Sequence, residues 1–284
     1  YLVIKWVNQI IKQYKIKNIS CAGGVFMNVK MNMLISKIKN LENIYIPPSP
    51  DDTSQSIGAI FYLNYLKNQK NYNLKNAYLG FEIKKQTIPK ILNRKIIEYS
   101  GNSALNKAVR LLSNGKIVAY VYGKAEFGAR ALGNRSILAH PYKNGVIKNI
   151  NKSIKNRDFW MPFAAIVKKS HAKKYLKLNS RLDCYRYMTL CCNVTEVGRK
   201  YLKNAIHPYD ETCRPQILSP ADNPQLDKLL KEFGKKNGIY SLLNTSLNYH
   251  GKPLVNSFED AIKMLLNSEL DGILSNNKLF VKKI

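Results

Sequence analysis

Acidic residues are scarce in this 284-residue sequence: 18 Asp and Glu stand against 46 Lys and Arg, for a net charge of +28. Such an imbalance points first to anionic partners. The lysines, however, run through every segment beside asparagine and isoleucine, as an AT-biased genome would produce. Composition alone therefore selects no partner; phosphate-bearing small substrates rank ahead of nucleic acid, and specific nucleic-acid recognition is not expected. Long apolar runs are missing as well. None approaches the ~20 residues of a membrane helix, and Tyr1 to Val7 does not read as a charged region leading to a cleavage site. No membrane partner is expected. The five cysteines are odd in number and contain no Cys-x-x-Cys pair, which excludes the usual zinc and disulfide frameworks and fits a reducing cytoplasm. The four histidines, His140, His171, His207 and His250, are scattered, and internal repeats and low-complexity tracts are absent. The chain opens on Tyr1 inside a helical pattern, so it is expected to be a piece of a longer polypeptide.

What is present centres on Tyr122 to Leu138. An apolar run, Ile117 to Val121, precedes it, and Gly123, Gly128 and Gly133 are interleaved with Lys124, Arg130 and Arg135. Glycine lets backbone approach a ligand closely, and an arginine fork grips a carboxylate or phosphate at two points. The stretch reads either as an anion-binding loop leaving a strand or as a basic solvated turn. Lys155, Arg157 and Asp158, then Arg214, then the run Asn244 to Asn248 favour the first reading, because each places polar groups near a strand end.

Read in order, 45% hydrophobic residues allow one large or two ordinary domains. Residues 2–14 have the apolar spacing of an amphipathic helix. A strand near Asn18 to Cys21 leads into Gly23 and Gly24, with Asn28 opening the next helix. A second strand near Ile44 to Ile46 leads to Asp51 and Asp52, ahead of a helix expected to turn Ile57, Ile60, Phe61 and Tyr65 inward. Both loops belong on one edge of an α/β sheet, where nucleotides and metals bind; a tight turn and a helix cap are the plainer alternatives. Residues 80–94 read as a crossing segment between domains at 1–79 and 95–284. A helix from Ser103 stops at Gly115 and the strand Ile117 to Val121 follows. Further expectations are a helix over Lys148 to Ile154, a buried strand into Val167, a strand within Met188 to Val194, a helix stripe Leu226, Leu229, Leu230 and Phe233 ending at Gly234, and a strand Ile239 to Leu243. Ser257 and Asp260 form a capping box, and Gly272 to Val281 a closing hairpin.

Taken together, Glu126-Phe-Gly-Ala-Arg130-Ala-Leu-Gly-Asn-Arg135-Ser-Ile-Leu, Lys155-x-Arg157-Asp158, Pro162-Phe163-Ala164 and Leu243-Asn-Thr-Ser-Leu-Asn248-x-x-Gly251-x-Pro253 resemble the nodulation and antibiotic O-carbamoyltransferase family. Ala22-Gly-Gly-Val-Phe-Met-Asn28 and Pro48-x-x-Asp51-Asp52 match it in the same order. The resemblance implies an α/β protein: the C-terminal part of an actin-like ATPase or Kae1-like domain, followed by a YrdC-like domain. It implies that carbamoyl phosphate and ATP are joined into carbamoyl adenylate, and that the carbamoyl group passes to the hydroxyl of a sugar, nodulation-factor or antibiotic-like acceptor.

On that resemblance, Lys124, Arg130, Arg135, Lys155, Arg157 and Arg214 are the candidate catalytic cations, offsetting repulsion between two polyanions. Glu126, Asn244, Ser246 and Asn248 orient substrate or nucleotide. Gly23, Gly24 and Asn28 form the nucleotide-side loop. Asp52 matches a metal ligand for a divalent ion such as iron, whose other ligands, a histidine pair on an upstream helix, have no counterpart here. Lys124 replaces a frequent arginine, Ala129 a frequent proline, and Ser54 a usual glycine. An RNA-binding module of YrdC type and an inactive truncated remnant are the alternatives, and a homodimer stays open.

Overall fold

Val118 and Tyr120 face one apolar cluster, while Ala119 and Val121 face another. Successive strand side chains point to opposite faces, so a strand buried on both must be apolar throughout, as Val118–Val121 is. The computed structural model describes residues 1–70, 74–156, 158 and 161–283. Its strands are β1 (Asn18–Ser20), β2 (Asn43–Tyr45), β3 (Ile96–Ser100), β4 (Val118–Val121), β5 (Arg135–Ala139), β6 (Ala164–Lys168), β7 (Leu176–Lys177), β8 (Cys192–Val194), β9 (Thr212–Cys213), β10 (Pro215–Leu218), β11 (Ser241–Ser246), β12 (Gly272–Ser275) and β13 (Lys278–Lys282). The helices used below are α1 (Leu2–Tyr14), α2 (Val29–Ile35), α3 (Gln55–Asn68), α4 (Lys90–Asn93), α5 (Gly101–Ser113), α6 (Val146–Ile150), α7 (Ala172–Tyr175), α8 (Glu196–Tyr201), α9 (Pro224–Asn237) and α10 (Phe258–Leu266).

Eight strands form a mixed sheet in the order β10-β6-β11-β5-β4-β12-β13-β3. Helix α10 packs Phe258, Ile262 and Leu265 on one face, and α5 and α9 pack Leu112, Leu226, Leu230 and Phe233 on the other. The amino-terminal unit is a parallel pair, β1 and β2, with α1 and α2. Its Val7, Ile11, Ile35 and Ile44 share a cluster with Ala165, Val167 and Ile217 of the large sheet, so the two parts have a common core.

Most expected elements are present, with corrections. The helix stripe does not stop at Gly234: α9 runs to Asn237, and Gly238, at φ 71°, ends it. Gly234 answers a packing need, since a Cβ there would lie 2.3 Å from the Tyr240 ring. Only Cys192–Val194 of the stretch from Met188 is a strand, because Met188 takes a left-handed φ of 56°. The expected helix at 148–154 is α6 followed by a wide π-type turn, Asn151–Lys155, closed by Asn156 at φ 42°. Helix α3 buries none of its residues: Ile60 is 57% exposed and Tyr65 43%. Its apolar side chains ring the whole helix: Ile57 and Phe61 are half-buried beside Tyr45, Pro47 and Tyr187, and the others stay exposed. Residues 80–94 lie against the large sheet. Gly80 donates to Ala125 O at 3.0 Å, Ala125 donates to Phe81 O at 2.8 Å, and Ile83 joins the cluster that holds Val121.

Candidate active site

Strand register places the singled-out residues on one edge of the large sheet. Pro215 pairs with Ala165 in parallel, Asn244 pairs antiparallel with Ala164, Ser246 with Ser136, and Val121 with Arg135. Arg214 just before β10, Phe163 just before β6, Asn244 to Asn248 at the end of β11, Arg135 at the start of β5 and Tyr122 to Lys124 after β4 therefore sit side by side.

The loop between β4 and β5 is held from within. All three of its glycines have positive φ. A Cβ on Gly133 would lie 2.4 Å from Leu226 Cδ2, and one on Gly128 would lie 2.9 Å from Pro48 O. Gly128 thus brings the loop against the Pro48 to Asp52 turn of the amino-terminal unit. Glu126, buried, accepts the backbone N–H groups of Leu132, Asn134 and Arg135 on Oε1 at 2.8, 2.7 and 3.1 Å. Arg135 is fully buried, and its guanidinium donates to the carbonyls of Tyr122 and Asn134 at 2.9 Å, Gly123 at 2.9 Å and Phe81 at 3.2 Å. Burial draws its pKa down, with Glu126 and Glu82 opposing. In this structure Glu126 and Arg135 shape the loop, and the Arg135 fork is taken up by backbone oxygens. Three further residues were not foreseen: Tyr78 Oη and Gln216 Nε2 both donate to Leu132 O, at 2.9 and 2.6 Å, and Asn223 Nδ2 donates to Asn134 Oδ1 at 2.6 Å. A buried glutamine inside an otherwise apolar strand, Gln216 in β10, was the one available signal.

Lys155, 3% exposed, is delivered by the π-type turn. Such turns often occur at functional sites. Its Nζ donates to Ser246 Oγ at 3.0 Å and Asn248 Oδ1 at 2.6 Å, and Ser246 donates to the same oxygen at 2.6 Å. Asn244 Nδ2 donates to Ala131 O at 2.8 Å, tying β11 to the loop, while its Oδ1 is buried without a partner.

Arg214 shares with Arg135 a buried Nε that has no partner, but among the described residues its guanidinium, unlike that of Arg135, donates to no carbonyl or carboxylate. Burial lowers its pKa, opposed only by the Cys191 and Cys213 sulfurs. Arg214 as a whole is half-buried, and a partly desolvated cation without a partner is costly unless an anion arrives. Lys30 of α2 pairs with Asp210 at 2.8 Å nearby, and Asp210 also accepts Thr212 N and Oγ1. Lys124 is exposed and Arg130 half-buried at the loop's crest. Arg157 lies outside the described residues.

In the amino-terminal unit, both loops leave the carboxyl ends of parallel strands, and Gly23 N donates to Pro50 O at 2.6 Å. Gly24 opens a short 3-10 turn. Asn28 Oδ1 accepts Met31 N at 3.0 Å, so its side chain caps α2. Asp51 Oδ1 accepts Ser49 Oγ, Thr53 Oγ1 and Thr53 N, and these bonds hold its carboxyl below the usual range. Asp52 is exposed and meets Gln55 Nε2 at 3.3 Å. Among the described residues no three His, Cys, Asp or Glu side chains gather in a metal-binding group. One carboxylate does not make a metal centre, so these donors do not by themselves fit a resident ion, and no step below passes through one.

Comparison with known proteins follows the same two parts. Residues 109–283 match the model of the carbamoyltransferase C-terminus, and residues 1–61 match that of the carbamoyltransferase N-terminus. An uncharacterised protein of Methanocaldococcus jannaschii is 35% identical over 99% of this chain and 54% of its own length. Nodulation protein NolNO of Sinorhizobium fredii is 29% identical over 94% of this chain and 40% of its own. A 3'-hydroxymethylcephem-O-carbamoyltransferase of Streptomyces clavuligerus is 26% identical over 85% of this chain and 44% of its own. The chain spans about half the length of the curated relatives it matches. With the C-terminal model covering more than half of its residues, this chain belongs to the carbamoyltransferase family.

Proposed function

We propose that this chain carries the carbamoyl-activating part of an ATP-dependent O-carbamoyltransferase. Residues 95–284 are read as a YrdC-like domain and residues 1–79 as part of a Kae1-like domain, joined by residues 80–94. Carbamoyl phosphate is hydrolysed to carbamate and phosphate. A carbamate oxygen then attacks the α-phosphorus of ATP, the bond to pyrophosphate breaks, and carbamoyl adenylate forms. In the transfer step an acceptor hydroxyl oxygen attacks the carbamoyl carbon, AMP leaves with its electron pair, and the hydroxyl proton passes to solvent. The relatives named for nodulation and for a cephem support a small hydroxyl-bearing acceptor of sugar or antibiotic type. The setting proposed is the cytoplasm.

The observation that carries this reading is Arg214: among the described residues its guanidinium has no carboxylate partner, its Nε is buried, and it lies on the sheet edge that also holds Lys155, Ser246 and Asn248. Fixed cations in a half-dry site stabilise charge that develops on phosphoryl oxygens. Arg214 and Lys155 are assigned that role, with Lys124 and Arg130 at the mouth. Ser246 and Asn248 hold the Lys155 ammonium in place and orient substrate. Arg135 and Glu126 keep the loop in the shape that lets this happen.

The test is pyrophosphate release by the purified chain in the presence of both ATP and carbamoyl phosphate. Arg214→Ala is expected to lower the rate about 10²- to 10³-fold with circular dichroism unchanged. Absence of pyrophosphate from the wild-type chain, or an undiminished rate in the variant, would overturn the assignment.

A further inference from the structure

Arg214 is the single residue between β9 and β10, and those two strands belong to different sheets. Strand β10 edges the large sheet, whereas β9 closes a small one of order β7-β8-β9, with Cys213 opposite Cys192 and Thr212 opposite Asn193. Pro215 disfavours helical backbone at Arg214 and so keeps the junction extended. Among the described residues the guanidinium makes no hydrogen bond of its own. Where it sits therefore depends on how the small sheet is set against the large one.

Helix α2 of the amino-terminal unit grips the small sheet at three points. Asn32, fully buried, donates from Nδ2 to Thr189 O at 2.9 Å and to Phe26 O at 2.7 Å. Val29 O accepts Cys191 N at 3.4 Å, one residue before β8. Lys30 Nζ meets Asp210 Oδ2 at 2.8 Å, and the other oxygen of Asp210 accepts Thr212 N at 3.0 Å and Thr212 Oγ1 at 2.6 Å, at the start of β9. Burial alone would raise the Asp210 carboxyl, but the bonds from Lys30 and Thr212 outweigh it and hold the group at about 2, so it stays ionised. Both β8 and β9 are thus tied to α2. Cys192, Val194 and Cys213 also share an apolar cluster with Val7, Ile11, Ile35 and Ile44, so the small sheet is packed on the amino-terminal unit as well as bonded to it. The same helix begins after Asn28, whose side chain caps it, so α2 links the loop from Gly23 to Asn28 with the segment that carries Arg214.

We propose that Lys30 and Asn32 are positioning residues for Arg214: through them α2 clamps the small sheet and holds the guanidinium at the sheet edge, a role that rests on Arg214 being the phosphate-binding cation of the carbamoyl-activating site. Neither residue needs to touch substrate. A residue that acts only through Arg214 has no further effect once that side chain is removed, whereas a charge acting on substrate directly keeps its effect.

The experiment measures pyrophosphate release with ATP and carbamoyl phosphate for Lys30→Met, Lys30→Arg and Asn32→Leu, each in the wild-type and the Arg214→Ala chain. The Lys30 side chain is 42% exposed, so Lys30→Met is expected to leave circular dichroism unchanged. It is expected to lower kcat/KM roughly two- to five-fold, the scale of an exposed ion pair, and Lys30→Arg to restore the rate. Asn32→Leu, which removes two hydrogen bonds and no charge, is expected to act in the same direction as Lys30→Met. In the Arg214→Ala background none of the three is expected to lower the residual rate further. An undiminished rate in Lys30→Met, or the same fold loss in both backgrounds, overturns the positioning role and leaves the carbamoyl-activating reading standing. Absence of pyrophosphate from the wild-type chain overturns both.

Discussion

His140 follows β5 into the core and is 1% exposed, with its ring edge-on to Tyr142 at 4.7 Å and to Phe233 at 5.4 Å. Burial, aided by the Lys143 charge, draws its pKa down to about 4. In the unfolded chain the same imidazole titrates near 6.5. The unfolded state therefore binds the proton more readily. The stabilising effect of the neutral ring is complete above pH ~6.5 and is lost as pH falls from there through about 4, at roughly 1.4 kcal/mol per pH unit inside that window. Urea unfolding at pH 7.5 and pH 5 checks this: His140→Phe, which keeps an aromatic ring in place, is expected to lose about 2 kcal/mol less than wild type between the two. An identical loss in both proteins would assign the pH dependence to other groups. At this scale the sequence is readable by residue type and blind to partners. Arg135 and Arg214 look alike as letters near glycine or proline, and what separates them is distant. Arg135 is taken up partly by Phe81 O, 54 residues away, while among the described residues Arg214 has no such hydrogen bond.

At the scale of elements, α9 and α3 are both 14 residues long and differ in where their apolar side chains go. In α9, Leu226, Leu229, Leu230 and Phe233 repeat on one face and are fully buried. In α3, Tyr62 and Leu63 are both 63% exposed and Leu66 51%. A helix that is apolar on all sides has no stripe from which to read an inward face, which is why the expectation that Ile57, Ile60, Phe61 and Tyr65 turn inward holds only for the half-buried Ile57 and Phe61. Large-to-small changes in a core cost about 2–5 kcal/mol, whereas an exposed position stays within about 0.5 kcal/mol. Leu230→Ala is accordingly expected to lower stability by several kcal/mol and Leu63→Ala to leave it nearly unchanged, as read from denaturant midpoints. A large cost at Leu63 would mean that α3 is covered in solution. The sheet edge was more legible than either helix. Each polar cluster that the sequence offers follows or precedes an apolar run, and register then brings Arg214, Asn244, Ser246 and Lys124 to one side. The residues that support the loop were less legible because Tyr78, Gln216 and Asn223 act through single carbonyls and amides that no spacing rule links.

For the molecule as a whole, the excess of 28 positive charges sets two kinds of anion binding against each other. Lysines spread over the surface attract any polyanion by releasing its counterions, so that affinity falls steeply with salt. A guanidinium sunk among cysteines and backbone acts at short range, where added salt screens little. These behaviours separate in one experiment. Binding of a mixed-sequence RNA is expected to weaken by an order of magnitude or more between 50 and 200 mM salt, and to do so equally in wild type and Arg214→Ala. Carbamoyl phosphate binding is expected to change only a few-fold over the same range and to be lost in Arg214→Ala. Fluorescence anisotropy for the RNA and calorimetry for carbamoyl phosphate supply the two curves. If the Arg214 substitution lowers both affinities together, this half-buried cation belongs to a nucleic-acid surface, and the choice between the two readings of this basic chain reverses.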